Sequence, residues 1–547
     1  MNVWVHALAG TIRLGRSHLI DLLAPSLPSQ LHRSGFAVAW AWAVWACPWA
    51  GLGRAHAEGL VHGTPAARLA AATHCVTCHA LPDPRHLDRP TWTNELLPKM
   101  RVMVGLEPPT TEAGFRDIDL LRAGKAFPEK PLMTRAAFDL AASWFVDNAP
   151  DSLASIQEPG RIRVELAGFD VVALKERHDP PLTTLARIDA AGRRVFLGDV
   201  GFQGYNVLGP GLDIREGNKL GNIPVALDVD GADDWVACIG HFFPREEPRG
   251  QVLRMRRRPD GSYGRIDVAS GLPRLSDIRV ADLNGDGVRD FALCVYGNFI
   301  GRFSWWEGKG NDRWDEHVLL DKPGAVRCVP VDFNRDGKLD LLVLVAQWTE
   351  SLFLFEGDAR GGFTRRTLFQ KPPSWGHSGM DVADFNGDGW PDVVVANGDN
   401  ADFPTSPPRP HHGVRLYLNR GGARVEEAWF GPMNGAYRLA ARDFDMDGDL
   451  DIAATSFFPD YERSPREGFL LFTNAGGKER WDFQMATFRQ SVAGRWLAMD
   501  AGDVDGDGDE DIVLGSLVRM PTAVPSKLKE QWEKQGPSMV LLRNRAR

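Results

Sequence analysis

The 547-residue chain is 43% hydrophobic and 25% charged, an ordinary globular balance that excludes a disordered or fibrous protein and predicts several domains. Its formal charge of −9 comes with no basic run and no aromatic platform, which excludes nucleic acid as a partner.

Residues 1–35 are weakly basic through Arg13, Arg16 and Arg33, and the apolar run FAVAWAWAVWACPWAGL follows, leading to Ala55-His56-Ala57. Small residues at the two positions a signal peptidase reads predict an export signal over 1–57, cleaved after Ala57. The protein is then periplasmic or extracellular. An uncleaved anchor is the alternative, because the run approaches the roughly 18 residues needed to span a membrane, although Pro48, Gly51 and Gly53 disfavour it. A lipid anchor on Cys47 has poor neighbours in Trp45 and Pro48.

A domain over 58–158 opens with Thr64-Pro65, an N-cap and first helical residue, and an Ala-rich helix into His74. Cys75-Val-Thr-Cys78-His79 follows directly, the pattern of covalent haem attachment. Two thiols three residues apart reach the two haem vinyls from one turn, and the adjacent His79 offers its imidazole to the iron. No second CxxC and no βαβ pattern supports a zinc or thioredoxin-like reading. A closing helix capped by Thr134 places Phe138, Ala141, Ala142 and Phe145 on one face. His79-Ala-Leu-Pro-Asp-Pro, Trp92 and Leu97-Pro-Lys-Met100 together resemble the small class I cytochrome c domains found ahead of VCBS propellers. The resemblance implies one covalent haem c held by Cys75, Cys78 and His79, with Met100 as the second axial ligand. Met103, Met133 and His86 are the other candidates; the ordinary role of any one Met is core filler.

Over 159–547 one unit recurs. Two degenerate copies, Asp189-Ala-Ala-Gly192 and Asp228-Val-Asp-Gly-Ala-Asp-Asp234, precede five full ones. The full ones are Asp282/Asn284/Asp286/Asp290, Asp332/Asn334/Asp336/Asp340, Asp384/Asn386/Asp388/Asp392, Asp443/Asp445/Asp447/Asp451 and Asp503/Asp505/Asp507/Asp511. Hard oxygens at positions 1, 3, 5 and 9, with a glycine for the sharp turn, suit Ca²⁺. An EF-hand needs a glutamate at position 12, where this chain has Leu293, Val343, Val395, Ala454 and Leu514. Each loop runs instead into a short apolar, β-branched segment such as LLVLVA or DVVVAN, the pattern of a buried strand. Loop plus strand repeating every 50 to 60 residues leaves room for four strands, one propeller blade. At this point the chain resembles the FG-GAP or VCBS repeat family of integrin-α-like β-propellers. Seven blades are expected, closed by Arg161–Leu166 supplying the strand that the last blade lacks.

The five loops hold 20 acidic residues, so up to five Ca²⁺ would bring the formal balance near neutrality. Cys238 and Cys294 hold the same place in neighbouring blades; buried free thiols or a disulfide between them are both open. Asp277, Arg279, Arg327, His377, Asp381, Arg438 and Asp500 sit at offsets that alternation turns towards the axis. They form either an oxidoreductase pocket or, as the simpler reading, inter-blade ion pairs.

The fold class expected is therefore a small all-α cytochrome c domain followed by an all-β propeller. The function expected is electron transfer by an exported haem protein that meets a redox partner protein or a small electron donor, with the propeller as a docking scaffold. A haem-linked dehydrogenase acting on a sugar or alcohol, and a binding or adhesion module with a redox-sensing haem, are the alternatives.

Overall fold

Seven four-stranded antiparallel sheets follow from the repeat. In a computed structural model the described residues are 63–546, apart from 112–113, 155–161, 348, 402–406, 479 and 521. The export signal read at 1–57, with Cys47 and Ala57, lies outside them.

The first six sheets occupy 183–219, 224–272, 275–320, 325–370, 377–432 and 436–486, each a meander of four consecutive strands. The seventh takes three strands from 496–544 and its outermost strand from Phe169–Ala173, which pairs antiparallel with Met539–Asn544. The first strands of neighbouring sheets touch one another, so they ring a common axis and the sheets are blades. The second strands are buried along their whole length, which is why the sequence reads there as continuous apolar runs. Their alternate side chains enter separate cores on either side. Ala292 and Cys294 face blade 4, whereas Phe291, Leu293 and Val295 face blade 2.

The ring closes as expected in kind but with a different segment. Phe169–Ala173 is the closing strand, and the expected 161–166 stretch, described from residue 162 onward, instead reaches blade 6, where Arg163 bridges to Ala486 and donates its N–H to the Met485 carbonyl at 3.0 Å. Alternation in IRVEL matched a strand equally well; only pairing in space distinguishes the two. A chain beginning at residue 162 should remain monomeric, whereas one beginning at residue 175 should aggregate through the bared Met539–Asn544 edge, as size-exclusion chromatography would report.

Ahead of the propeller stand helices at Pro65–His74, Leu97–Met103, Ile118–Ala123 and Arg135–Asn148, with a widened π turn at Trp92–Leu96. Thr64 caps the first by accepting the Ala67 N–H at 3.2 Å, and Thr134 caps the last by accepting that of Ala137. The last helix buries Phe138, Ala141, Trp144 and Phe145. The first and last helices pack together around Trp92, whose indole N–H donates to the Pro84 carbonyl at 2.7 Å.

Candidate functional sites on the two propeller faces

In a four-stranded antiparallel blade the hairpin between strands one and two lies at one face, and the hairpin between strands two and three and the crossover to the next blade lie at the other. The five full acidic loops are all first-to-second-strand hairpins, one in each of blades 3 to 7. They therefore share one face.

Each loop is wound the same way. The first aspartate accepts the N–H of the sixth-position glycine: Gly287 to Asp282, Gly337 to Asp332, Gly389 to Asp384, Gly448 to Asp443 and Gly508 to Asp503, at 2.8 to 3.0 Å. All five glycines have φ between 82° and 93°, the left-handed region where a side chain is disfavoured. Position 4 is left-handed as well, and there Arg335 (φ 58°) and Met446 (φ 61°) stand where other loops have glycine. The ninth-position aspartates are fully buried, and each accepts at least two backbone N–H groups, as Asp451 does from Phe444 (3.1 Å) and Asn474 (2.8 Å). These bonds lock the loop to its blade.

Burial together with neighbouring carboxylates raises the ninth-position acids: Asp392 and Asp511 to about 6, and Asp451 to about 7. None of the five first-position aspartates has an ion-pair partner among the described residues. The degenerate blades differ. In blade 1, the Arg194 guanidinium lies 2.7 Å from Asp189 and 3.5 Å from Asp234, and in blade 2, Arg256 lies 2.6 Å from Asp233. In blade 1 an arginine thus sits beside Asp189, the first acid of the degenerate loop, a position where the full loops have no cation among the described residues.

The five loops, alike in spacing, are not alike in how their side chains converge. One oxygen from each of Asp443, Asp445 and Asp447, and from each of Asp503, Asp505 and Asp511, comes within 4.8 Å of the others, the spacing of a cation's ligands. One expected ligand of each loop stands outside its group of three, Asp451 in blade 6 and Asp507 in blade 7; the Asp507 carboxylate accepts the Asp509 N–H at 3.2 Å. The three loops with asparagine at position 3 gather no group of three acids among the described residues. In these loops the amide nitrogen at position 3 is a donor and turns to the nearest carboxylate. Asn284 donates to the Asp286 carboxylate at 3.1 Å, and Asn386 donates to that of Asp388 at 2.9 Å. The amide oxygens are engaged as well: Asn284 accepts the Asp286 N–H, Asn334 that of Asp336 and Asn386 that of Asp388, each at 3.0 Å. The Asp336 carboxylate pairs with Lys338 at 3.1 Å, so the fifth-position acid of blade 4 already has a cation beside it.

The helical segment lies against the other face. His86 Nδ1 is 2.8 Å from Ser374 Oγ, and its ring meets that of His411 at 4.5 Å between centroids. Asp117 forms a 2.7 Å ion pair with Arg245 and accepts the Glu246 N–H at 2.8 Å. Phe299 and Ile300 join the core of Val102, Met103, Phe115 and Leu121, with Ile300 so close to Gly124 that a Cβ there would lie 2.5 Å from it. Blades 2, 3 and 5 thus hold the segment at three points.

Within the segment, Cys75 is half-buried and Cys78 exposed on the turn that ends the first helix. Burial pushes the Cys75 thiol up to about 11. His79 Nδ1 is 2.9 Å from the Ala80 carbonyl, so it carries the proton and Nε2 is left as a free lone pair. Burial also lowers the His79 pKa, which keeps the imidazole neutral. The segment's apolar residues divide into two clusters, one containing Cys75 with Trp92 and Phe145, the other containing Met100 with Val102 and Met103. Met133 is half-buried just before the last helix, and His86 is engaged with the propeller.

The axis holds ion pairs. Asp277, Arg279, Arg327, Arg438 and Asp500 line a central cavity of about 30 Å³, with Arg187 beside them. Aspartates reach across to the next blade's backbone: Asp500 accepts the Ile188 N–H at 2.8 Å, Asp228 that of Val280 at 2.9 Å, Asp277 that of Cys328 at 3.1 Å and Asp381 that of Ala441 at 3.0 Å. Arg187 lies 3.3 Å from Asp500 and 3.4 Å from Asp228. His377 does not line the cavity; it is buried 3.0 Å from Glu350. A space of that volume admits water, not a sugar.

The family model for the FG-GAP-like repeat matches residues 282–343 and 332–395. No curated protein matches the chain. Among solved structures, the chain is similar to the N-terminal domain of Nup159 (10% identity, TM-score 0.38, 71% of this chain and 99% of that one). It is also similar to the Pan2 WD40 domain of Neurospora crassa (8%, TM-score 0.42, 70% and 96%) and to a luciferin-regenerating enzyme (11%, TM-score 0.36, 57% and 97%). At these values the likenesses carry no functional argument.

Proposed function

We propose that this seven-bladed propeller with FG-GAP-like repeats is an exported electron-transfer protein, carrying covalent haem c on its helical segment and Ca²⁺ in its acidic loops. The observation that carries the reading is the Cys75-Val-Thr-Cys78-His79 turn, with His79 Nδ1 fixed by a carbonyl and Nε2 left to bind iron. When bound, haem supplies a one-electron ferric/ferrous couple. Cys75 and Cys78 would hold it through thioethers, and the apolar cluster that contains Cys75 would shield it from water. Attachment of haem to a CxxCH motif and the 1–57 segment both accord with an exported compartment.

Met100 is the proposed second axial ligand; it lies in a cluster apart from Cys75, and Met103, in the same cluster, is its nearest rival. Met100→Ala should lower the reduction potential and abolish the weak near-infrared sulfur-to-iron band of the oxidised protein. Retention of both in Met100→Ala, with their loss in Met133→Ala, would move the assignment to Met133.

The propeller acts here as a scaffold, because the axial residues are spent on inter-blade ion pairs around a water-sized cavity. Ferric protein should therefore be reduced by small electron donors or a donor protein and not by a panel of alcohols and sugars. Stoichiometric reduction by one of those substrates would instead establish a dehydrogenase.

A further inference from the structure

Three cysteines lie in propeller strands: Cys238, Cys294 and Cys328, all fully buried. The equivalence of Cys238 and Cys294 in sequence does not bring them together, because Cys238 faces the core between blades 1 and 2. The neighbour of Cys294 is Cys328. Cys294 belongs to the second strand of blade 3, Asp290–Val295, and Cys328 to the first strand of blade 4, Ala325–Val331. Strand alternation turns both side chains into the same inter-blade layer, with Phe303, Ala325, Leu341 and Val343.

Two side chains of blade 3 hold these strands in register. Asp277 is the strand partner of Cys294 and accepts the Cys328 N–H at 3.1 Å. Ser276 Oγ lies 3.2 Å from the Cys294 carbonyl and 2.7 Å from that of Ala325, bridging the same two strands. The two thiols share one apolar shell, and burial holds the Cys294 thiol well above its usual range.

We propose that Cys294 and Cys328 form a disulfide that staples blade 3 to blade 4 in the mature protein, an inference that rests on the export reading given above. A layer sealed this completely admits no oxidant after folding, so the bond forms while the blades dock. Each thiol gives up its hydrogen and one S–S bond forms. The two electrons and two protons pass to the disulfide of a thiol oxidoreductase, which becomes a dithiol. A pair of thiols from adjacent blades is a placement that a cross-link can stabilise by restricting the unfolded chain.

The test is peptide mapping of the haem-bearing protein from the exported fraction, unfolded in alkylating reagent with and without prior reduction. The expected result is a Cys294–Cys328 linked peptide that disappears on reduction, with Cys238 alkylated in both samples. Melting in reductant, which reaches the pair once the blades part, should also occur at a lower temperature for the wild type than melting without it, with no such difference for Cys294→Ser/Cys328→Ser. Free, separately alkylated Cys294 and Cys328 in exported, haem-bearing protein would overturn the proposal. Haem content and the mature N-terminus are read on the same sample, so a failure of the export reading is seen separately. In that event the reduced protein is refolded from urea with oxidised glutathione: the same linked peptide supports the staple, and free or glutathionylated thiols overturn it.

Discussion

Removing calcium is expected to lower the propeller's melting temperature by roughly 5 °C or more, since a site at 100-fold its Kd contributes about 2.7 kcal/mol and several sites add. The cause lies in the loops: three to six acidic residues crowd each hairpin of blades 3 to 7, and the cations beside them, Lys338 at Asp336, Arg543 at Asp505 and Arg442 at Glu510, leave the five first-position aspartates without an ion-pair partner among the described residues. The loops at Asp443 and Asp503 bring three carboxylates together and should lose the most. The pH dependence fixes the sign independently. Without a cation the folded-state pKa values of Asp392, Asp451 and Asp511 stand above the unfolded value, so folding takes up protons. Stability of the chelated protein should accordingly be greatest below about pH 4 for these groups and fall as pH rises through about 6 to 7. Calcium should cancel that fall, making its stabilisation larger at pH 7.5 than at pH 5. A melting curve unchanged by exhaustive chelation, with no calcium found by elemental analysis, would contradict the loop reading.

Most of the propeller was legible because its grammar is local. A loop whose backbone must enter the left-handed region writes glycine at position 6, and a strand buried on both faces writes a continuous apolar run. Five repetitions made the period plain. What could not be read is what depends on pairing at a distance. Phe169–Ala173 and the 161–166 stretch both alternate well enough to be strands, and only the partner edge at Met539–Asn544 decides between them. Left-handed Arg335 and Met446 carry no sequence signature at position 4. Within the loops, spacing made Asn284, Asn334 and Asn386 look equivalent to Asp445 and Asp505, yet it says nothing of which neighbour an amide bonds. Nor does spacing separate Asp507 from the three acids of its loop that converge. The axial charges were placed correctly as inward-facing at Asp277, Arg279, Arg327, Arg438 and Asp500, but alternation gives a direction and not a partner. His377 was turned the other way by its place at the strand start beside Glu350. The junction of His86 with Ser374 and His411 joins residues almost 300 positions apart, and neither end carries a motif.

The junction also gives the electron-transfer proposal its geometry. The CxxCH turn belongs to a segment pinned to the propeller by Asp117–Arg245, by Ile300 against Gly124 and by His86 against blade 5, so its orientation over that face is fixed. The acidic loops lie on the opposite face.

Covalent haem is the claim on which the rest depends, and its loss from a cysteine variant is the second large effect expected. Thioether bonds from Cys75 and Cys78 survive denaturation, whereas haem held only by axial ligands is extracted by acidified solvent. The decisive measurement is intact mass and pyridine haemochrome spectroscopy of protein expressed with a c-type haem maturation system, after denaturing extraction. The wild type should retain one haem c per chain and Cys75→Ser/Cys78→Ser none, with the variant's propeller still folded. A wild-type chain at its unmodified mass, or haem that extracts completely, would contradict the account.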